Sequence, residues 1–121
     1  MAVILLVEDD QGLREMLKGS LLKNKFQVIE ASNGRDAINK FKKTLIELVI
    51  TDLLMPEQDG IGLIMELRKI KSDLKIIAIS GGGKAGPGNY LSIAQALGAN
   101  AIFTKPFNLN LFIDKVIELT K

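Results

Sequence analysis

The sequence predicts an α/β domain in which a five-stranded parallel sheet carries helices on both faces. Short apolar runs rich in β-branched residues alternate five times with segments of helical periodicity, and this alternation is typical of repeated strand–helix units. The runs are apolar almost throughout rather than at every second residue. That pattern indicates strands that are buried on both faces, as in a parallel sheet.

The five predicted strands are the short apolar runs of the chain. They are Val3–Val7, Gln27–Ala31, Leu48–Thr51, Lys75–Ile79 and Ala101–Thr104. Strands that are joined through helices lie parallel and form right-handed crossovers. The flavodoxin-like, doubly wound order 2-1-3-4-5 is a common arrangement of five such strands, and it places the first and third strands side by side.

Five helices are predicted where apolar residues recur at intervals of three and four. Asp10 and Asn108 are predicted N-caps of the first and last helices, and Gly98 is predicted to end the fourth helix. The apolar positions are Leu13, Met16, Leu17 and Leu21; Ala37, Ile38 and Phe41; Ile61, Ile64, Leu67 and Ile70; Tyr90, Ile93, Ala94 and Leu97; and Leu109, Phe112, Ile113 and Val116.

Composition restricts the classes of function that the chain can have. Its 121 residues suit one domain, residues 1–121, and we expect no output domain within them. The chain has no cysteine and no histidine, which excludes thiolate catalysis, zinc–histidine sites and phosphohistidine. A net charge of +2 does not favour nucleic-acid or membrane binding. The lack of cysteine and of a signal peptide fits a cytoplasmic protein.

Three acids and a lysine follow predicted strands. Glu8 and Asp9 follow the first strand, Asp52 the third and Lys105 the fifth. Parallel neighbours would bring these side chains to one edge of the sheet, where open α/β sheets bind ligands. Clustered acids repel one another unless a cation lies among them, and Mg²⁺ prefers oxygen ligands. One carboxylate there could act as a nucleophile toward a phosphoryl group.

Five motifs, in order along the chain, make the sequence resemble the receiver domains of two-component response regulators. They are Val7-Glu8-Asp9-Asp10, Thr51-Asp52-Leu53-Leu54-Met55-Pro56, Asp59-Gly60, Ile79-Ser80-Gly81 and Thr104-Lys105-Pro106-Phe107. The resemblance covers essentially the whole chain. It implies that Asp52 accepts a phosphoryl group from a partner histidine kinase or phosphotransfer protein in a signalling phosphorelay, and that this switches a partner-binding surface.

The resemblance also implies a magnesium site. Asp9 and Asp52 would be direct ligands of Mg²⁺, and Glu8 would act mainly through water. The backbone carbonyl of Leu54 would be a further ligand. Apart from Mg²⁺-dependent self-phosphorylation from small donors and slow self-dephosphorylation, the chain would not be an enzyme.

Further residues are implied to contact the phosphoryl group or to transmit its presence. Ser80 would contact a phosphoryl oxygen, and Lys105 would pair with the group. The Lys105–Pro106 peptide bond is typically cis in this family. Many receivers carry an aromatic switch residue three positions before the lysine, whereas this chain has Ile102 there. The neighbouring Phe103 is predicted to face the other side of the sheet, because side chains alternate along a strand.

Other functions fit the sequence less well. Nucleotide binding is disfavoured. Gly81, Gly83 and Gly86 match the dinucleotide-binding motif G-x-G-x-x-G, but they follow the fourth strand, and the acid expected about 20 residues later is absent. An FMN protein of the flavodoxin type is disfavoured because the loop after the first strand is acidic. An aspartate-nucleophile phosphatase is disfavoured because Leu54 stands where a second aspartate is expected. A pseudo-receiver, acting as a phosphorylation-independent protein-interaction module, stays open.

The predicted partner surface lies on the fourth helix, fifth strand and fifth helix, which receivers commonly use for dimers or targets. The stretch from Leu74 to Ile113 contains no acidic residue, so much of this surface has a low charge density. No helix-turn-helix pattern or basic patch is present, and we expect no nucleic-acid binding by this chain.

Overall fold

A five-stranded parallel sheet forms the centre of the molecule. The computed structural model describes residues 2–53, 60–81, 92 and 94–121. Its strands are β1 (Val3–Val7), β2 (Gln27–Ala31), β3 (Leu48–Asp52), β4 (Lys75–Ser80) and β5 (Ala101–Thr104). They pair in parallel in the order β2-β1-β3-β4-β5. The predicted flavodoxin-like fold class and strand order are therefore confirmed.

The helices are α1 (Gln11–Lys23), α2 (Gly34–Lys43), α3 (Gly60–Ile70), α4, whose described helical residues are 92 and 94–96, and α5 (Leu109–Leu119). The predicted caps are confirmed, because Asp10 accepts from the Leu13 N–H and Asn108 from the Leu111 N–H, both at 3.1 Å. Gly98, at φ 86°, follows α4 as predicted. Within the described ranges, no helix combines the length and apolarity needed to cross a bilayer.

Side chains of each strand alternate between two apolar clusters on opposite faces of the sheet. Leu5 and Val7 pack in the cluster beneath α2 and α3, whereas Ile4 and Leu6 pack in the cluster beneath α1 and α5. Alternation of this kind, with both clusters buried, requires strands that are apolar at consecutive positions.

Tyr90 and Ile93, which were predicted to contribute to α4, lie outside the described residues.

β3 and β4 each extend one residue further than the sequence pattern predicted. Asp52 pairs with Ile79, and Ser80 pairs with Thr104, so the parallel ladder includes both polar residues. Hydrogen bonding between backbones sets the end of a strand, whereas the apolar pattern reports only burial of side chains. Consequently, Asp52 and Ser80 end two neighbouring strands at the same edge of the sheet.

Gly60 begins α3 directly against the end of β3. Its N–H donates to the Leu53 carbonyl at 3.0 Å. A Cβ at this position would overlap the Asp52 carbonyl oxygen and would lie 2.6 Å from the Leu53 Cα. From the sequence, Asp59-Gly60 reads as turn chemistry. The structure shows a second reason why glycine is needed at position 60: only a residue without a Cβ allows α3 to start so close to Asp52.

We expect Gly60→Ala to lower the free energy of unfolding by about 1–3 kcal/mol or more, because backbone atoms would have to move to admit the methyl group. Urea denaturation measures the change. Gly19→Ala is the matched control, because nothing lies within 4 Å of a Cβ at that position in α1. That variant should be more stable than wild type by about 0.5–1 kcal/mol. A Gly60→Ala protein as stable as wild type would contradict the close approach.

Candidate functional site

Glu8, Asp9 and Asp52 meet at the edge where β1 and β3 end. One carboxylate oxygen from each residue lies within 4.8 Å of the others. Glu8 is 1% exposed and Asp52 is 4% exposed, whereas Asp9 faces solvent. The adjacent, parallel register of β1 and β3 brings these residues together. The pocket is therefore acidic, with two buried carboxylates and an open side at Asp9.

Lys105 places one ammonium group against both buried acids. Its Nζ lies 2.7 Å from Asp52 Oδ2 and 3.6 Å from Glu8 Oε1. Burial alone would lower the pKa of Lys105, but the hydrogen bond to Asp52 and the negative charges of Glu8 and Asp52 raise it above its usual value. Lys105 is therefore a cation at neutral pH. The Lys105–Pro106 peptide bond is cis, as predicted.

The carboxylate of Glu8 is only partly satisfied by the protein. Its Oε2 accepts from the Asp10 N–H at 3.1 Å. Among the described residues, its Oε1 is buried and accepts no hydrogen bond. Burial, and then the negative charge of Asp52, raise the pKa of Glu8 to about 7. The two buried acids therefore share one ammonium group, and burial disfavours the charged form of Glu8.

This set of donors fits a hard divalent cation. The three acids offer oxygen ligands, which Mg²⁺ prefers, and the open side at Asp9 leaves room for the water ligands that Mg²⁺ usually keeps. Within the part of the chain that the structure describes, the buried Oε1 of Glu8 accepts no hydrogen bond and lies 3.6 Å from the Lys105 ammonium, so it could serve as a ligand of a cation. Leu54, whose carbonyl was predicted as a ligand, lies outside the described residues.

Ser80 ends the strand beside that of Asp52 and is 1% exposed. Its hydroxyl donates to the Gly81 carbonyl at 3.3 Å, which is long for a bond between two oxygens. Its own carbonyl accepts from the Lys105 N–H at 2.8 Å. Ser80 and Lys105 are thus joined through the backbone, and among the described residues the Ser80 hydroxyl has one long hydrogen bond.

Ile102 and Phe103 face opposite sides of β5, as predicted. Ile102 packs against the cluster beneath α2 and α3. Phe103 packs on the other face, where its ring centroid lies 5.3 Å from that of Phe112 in an edge-to-face arrangement. The position that is commonly aromatic in receivers is therefore aliphatic here, and Phe103 does not replace it.

Arg14 also contacts the site, although no motif in the sequence singles it out. Its Nη1 donates to the Glu8 carbonyl at 2.7 Å, and its Nε lies 3.3 Å from Glu30 Oε1. An arginine one turn after an N-cap ordinarily lies in solvent. The only sequence signal is its position in the turn that follows the acidic loop, and this does not distinguish a contact from a solvated charge.

Replacing Glu8 by Gln should stabilise the metal-free protein at alkaline pH. The pKa of Glu8 is raised from 4.5 to about 7 on folding, so the acid's contribution to stability is complete below pH 4.5 and is lost as pH rises through 7. In the presence of a chelator, the advantage of Glu8→Gln over wild type should be about 1–3 kcal/mol greater at pH 8 than at pH 4.5.

Denaturant unfolding at several pH values measures this advantage. Glu118→Gln is the control, because Glu118 is exposed on α5 and pairs only with Lys115 among the described residues; it should differ from wild type by less than about 0.5 kcal/mol at every pH. An advantage of Glu8→Gln that does not change with pH would contradict the raised pKa.

Comparison with known proteins assigns the family. A family model of the response regulator receiver domain matches residues 4–117. The chemotaxis protein CheY of Bacillus subtilis is 38% identical over 116 residues, which cover 95% of this chain and 91% of that protein.

Solved structures with the same architecture include a receiver domain and a response regulator. The non-phosphorylated receiver domain of HemR from Leptospira biflexa has a TM-score of 0.87 and 31% identity, covering 100% of this chain and 95% of that one. TrrA from Thermotoga maritima, solved in complex with Mg²⁺ and BeF, has a TM-score of 0.85 and 34% identity, and the match covers 98% of this chain and 99% of that one. Because sequence and fold agree over nearly its whole length, the chain belongs to the response regulator receiver domain family of two-component systems.

Proposed function

We propose that this domain accepts a phosphoryl group on Asp52 from a partner histidine kinase or phosphotransfer protein in the cytoplasm. The observation that carries the proposal is the pairing of a nearly buried carboxylate with Lys105 inside an acidic cluster. A structural ion pair would not require two more acids within 4.8 Å. A site that receives a phosphoryl group together with a metal ion needs both the cation, Lys105, and the additional acids.

The chemistry needs no histidine within the chain. An oxygen of Asp52 attacks phosphorus, and the new P–O bond forms as the P–N bond of phosphohistidine breaks, with the electron pair leaving on the imidazole. An ionised carboxylate needs no base, so the rate depends on positioning and on neutralisation of charge. Lys105, already 2.7 Å from Asp52, would pair with a phosphoryl oxygen.

Glu8, Asp9 and Asp52, together with the carbonyl of Leu54, would hold Mg²⁺. When bound, Mg²⁺ supplies positive charge that offsets the charge on the phosphoryl oxygens. TrrA, which is 34% identical to this chain, was solved in complex with Mg²⁺ and BeF, and this supports the proposal that the present domain also binds Mg²⁺. Hydrolysis of the acyl phosphate by water would return the domain slowly to its resting state.

Intact mass after incubation with acetyl phosphate tests the nucleophile. Wild type with Mg²⁺ should gain one phosphoryl group, whereas Asp52→Asn, or wild type with a chelator, should gain none. Asp114→Asn, an exposed acid on α5, is the control and should behave as wild type. If the folded protein binds Mg²⁺ but gains no phosphoryl group from acetyl phosphate or from its kinase, the pseudo-receiver function is favoured instead.

We also propose that Ser80 carries the signal away from Asp52. Its present hydrogen bond to Gly81 is long at 3.3 Å, and a phosphoryl oxygen on the neighbouring strand would be a stronger, charged acceptor. A turn of the hydroxyl toward that oxygen would pull on the segment after β4 and so reach the partner surface of α4, β5 and α5. Ile102 offers no ring that could rotate with it.

Nuclear magnetic resonance of the protein with and without beryllofluoride tests this route. We expect large changes in the amide signals of Ser80 and Gly81, and small changes in the methyl signals of Ile102. Ser80→Ala should remove the response without preventing phosphorylation of Asp52, whereas Ser72→Ala, at an exposed serine before β4, should leave it intact. A large rearrangement around Ile102 would contradict the route through Ser80.

A further inference from the structure

Arg14 connects the acidic loop after β1 with the edge strand β2. Its side chain is 19% exposed. The guanidinium donates from Nη1 to the Glu8 carbonyl at 2.7 Å and from Nε to Glu30 Oε1 at 3.3 Å. Two donors of one planar group therefore engage two different elements. This is a constrained arrangement that a solvated arginine would not adopt.

Glu30 is itself held firmly. Its Oε2 accepts from Lys18 Nζ at 2.8 Å, and its carbonyl accepts from Lys40 Nζ at 2.5 Å. The hydrogen bond from Lys18 is the largest of the causes that lower the pKa of Glu30 below its usual value. Glu30 is thus an anion that anchors Arg14, and its charge offsets that of the guanidinium near the cation site.

The peptide unit between Glu8 and Asp9 is fixed through this contact. The Glu8 N–H donates to the Ala31 carbonyl at 3.1 Å, and the Glu8 carbonyl accepts from Arg14. Since the peptide unit is planar, a fixed direction for the Glu8 carbonyl also fixes the direction of the following N–Cα bond. That bond determines where the Asp9 side chain starts.

We propose that Arg14 is a positioning residue that aims the carboxylates of Glu8 and Asp9 into the cation site, with Glu30 as its anchor. The inference rests on the proposed function, because it concerns the same site. Arg14 touches neither the phosphoryl group nor the metal. Its effect passes through the backbone of Glu8, so its loss should weaken Mg²⁺ binding even though all three acids remain.

Titration with Mg²⁺ alone, by calorimetry, tests the proposal on wild type, Arg14→Ala and Arg14→Lys. Arg14→Ala should weaken the affinity about tenfold or more, as removal of a group that orients a metal ligand typically does. Arg14→Lys should recover only part of the loss, because an ammonium lacks the planar fork. Lys23→Ala is the control. It removes one positive charge from an exposed position in the last turn of α1, without a contact to Glu8 or Glu30 among the described residues, and it should change the affinity less than about twofold.

Amide signals of the metal-free protein give a second readout that does not depend on phosphorylation or on metal. The Asp9 amide shares its peptide unit with the Glu8 carbonyl, so its signal should move in Arg14→Ala and not in Lys23→Ala. If Asp52 accepts no phosphoryl group while these changes occur, the proposed function fails and the positioning role stands.

An Arg14→Ala protein that is folded, with wild-type Mg²⁺ affinity and an unmoved Asp9 signal, would overturn the positioning role and leave the proposed function intact. If Arg14→Ala does not fold, the Mg²⁺ affinity of Glu30→Gln tests the proposal instead. This variant keeps an acceptor oxygen but removes the charge that anchors the guanidinium, and it must weaken Mg²⁺ binding more than Lys23→Ala does. Equal affinities for those two variants would overturn the proposal.

Discussion

Two carboxylates buried beside a single ammonium group are the constraint on which the rest of the structure depends. Removing a carboxylate from water costs several kcal/mol even after the protein relaxes. Lys105 pairs with Asp52, but Glu8 keeps a buried oxygen without a hydrogen bond among the described residues. Burial, and then the negative charge of Asp52, raise the pKa of Glu8 to about 7. A fold that keeps such a pocket gives up stability, and a bound cation is the simplest way to restore it.

The backbone ladder continues beyond the strands and links the groups of the site. The Leu53 N–H donates to the Ile79 carbonyl at 2.9 Å, and the Lys105 N–H donates to the Ser80 carbonyl at 2.8 Å. The carboxylate, the hydroxyl and the ammonium therefore stand at the ends of β3, β4 and β5, with backbone hydrogen bonds between neighbours. Two backbone hydrogen bonds thus lead from the end of β3 to the end of β5. This connection does not depend on an aromatic side chain, which suits a chain that has Ile102 at that position.

Much of the fold follows from local patterns. Consecutive apolar residues in Val3–Val7 predict a strand buried on two sides, and both clusters bear this out. Asp10 and Asn108 are correctly predicted as caps, because a cap depends on the three residues that follow it. The acids and the lysine could be placed at one edge because the parallel order of five strands leaves few alternatives. The predicted ends of β3 and β4 each fell one residue short of the observed ends, Asp52 and Ser80. A strand continues for as long as its backbone pairs with a neighbouring strand, whether the residue is polar or apolar.

The sequence by itself determined the parallel sheet, its alternating faces and the set of charged residues at its edge, since each of these follows from residue type and spacing. Only the tertiary structure decided the roles of Gly60 and Arg14 and the protonation of Glu8. Gly60 matters because α3 approaches Asp52, and Arg14 matters because α1 brings it against both Glu8 and Glu30. The pKa of Glu8 depends on how completely the rest of the chain excludes water from it. Such properties arise between residues that are distant in the chain, and no local pattern records them.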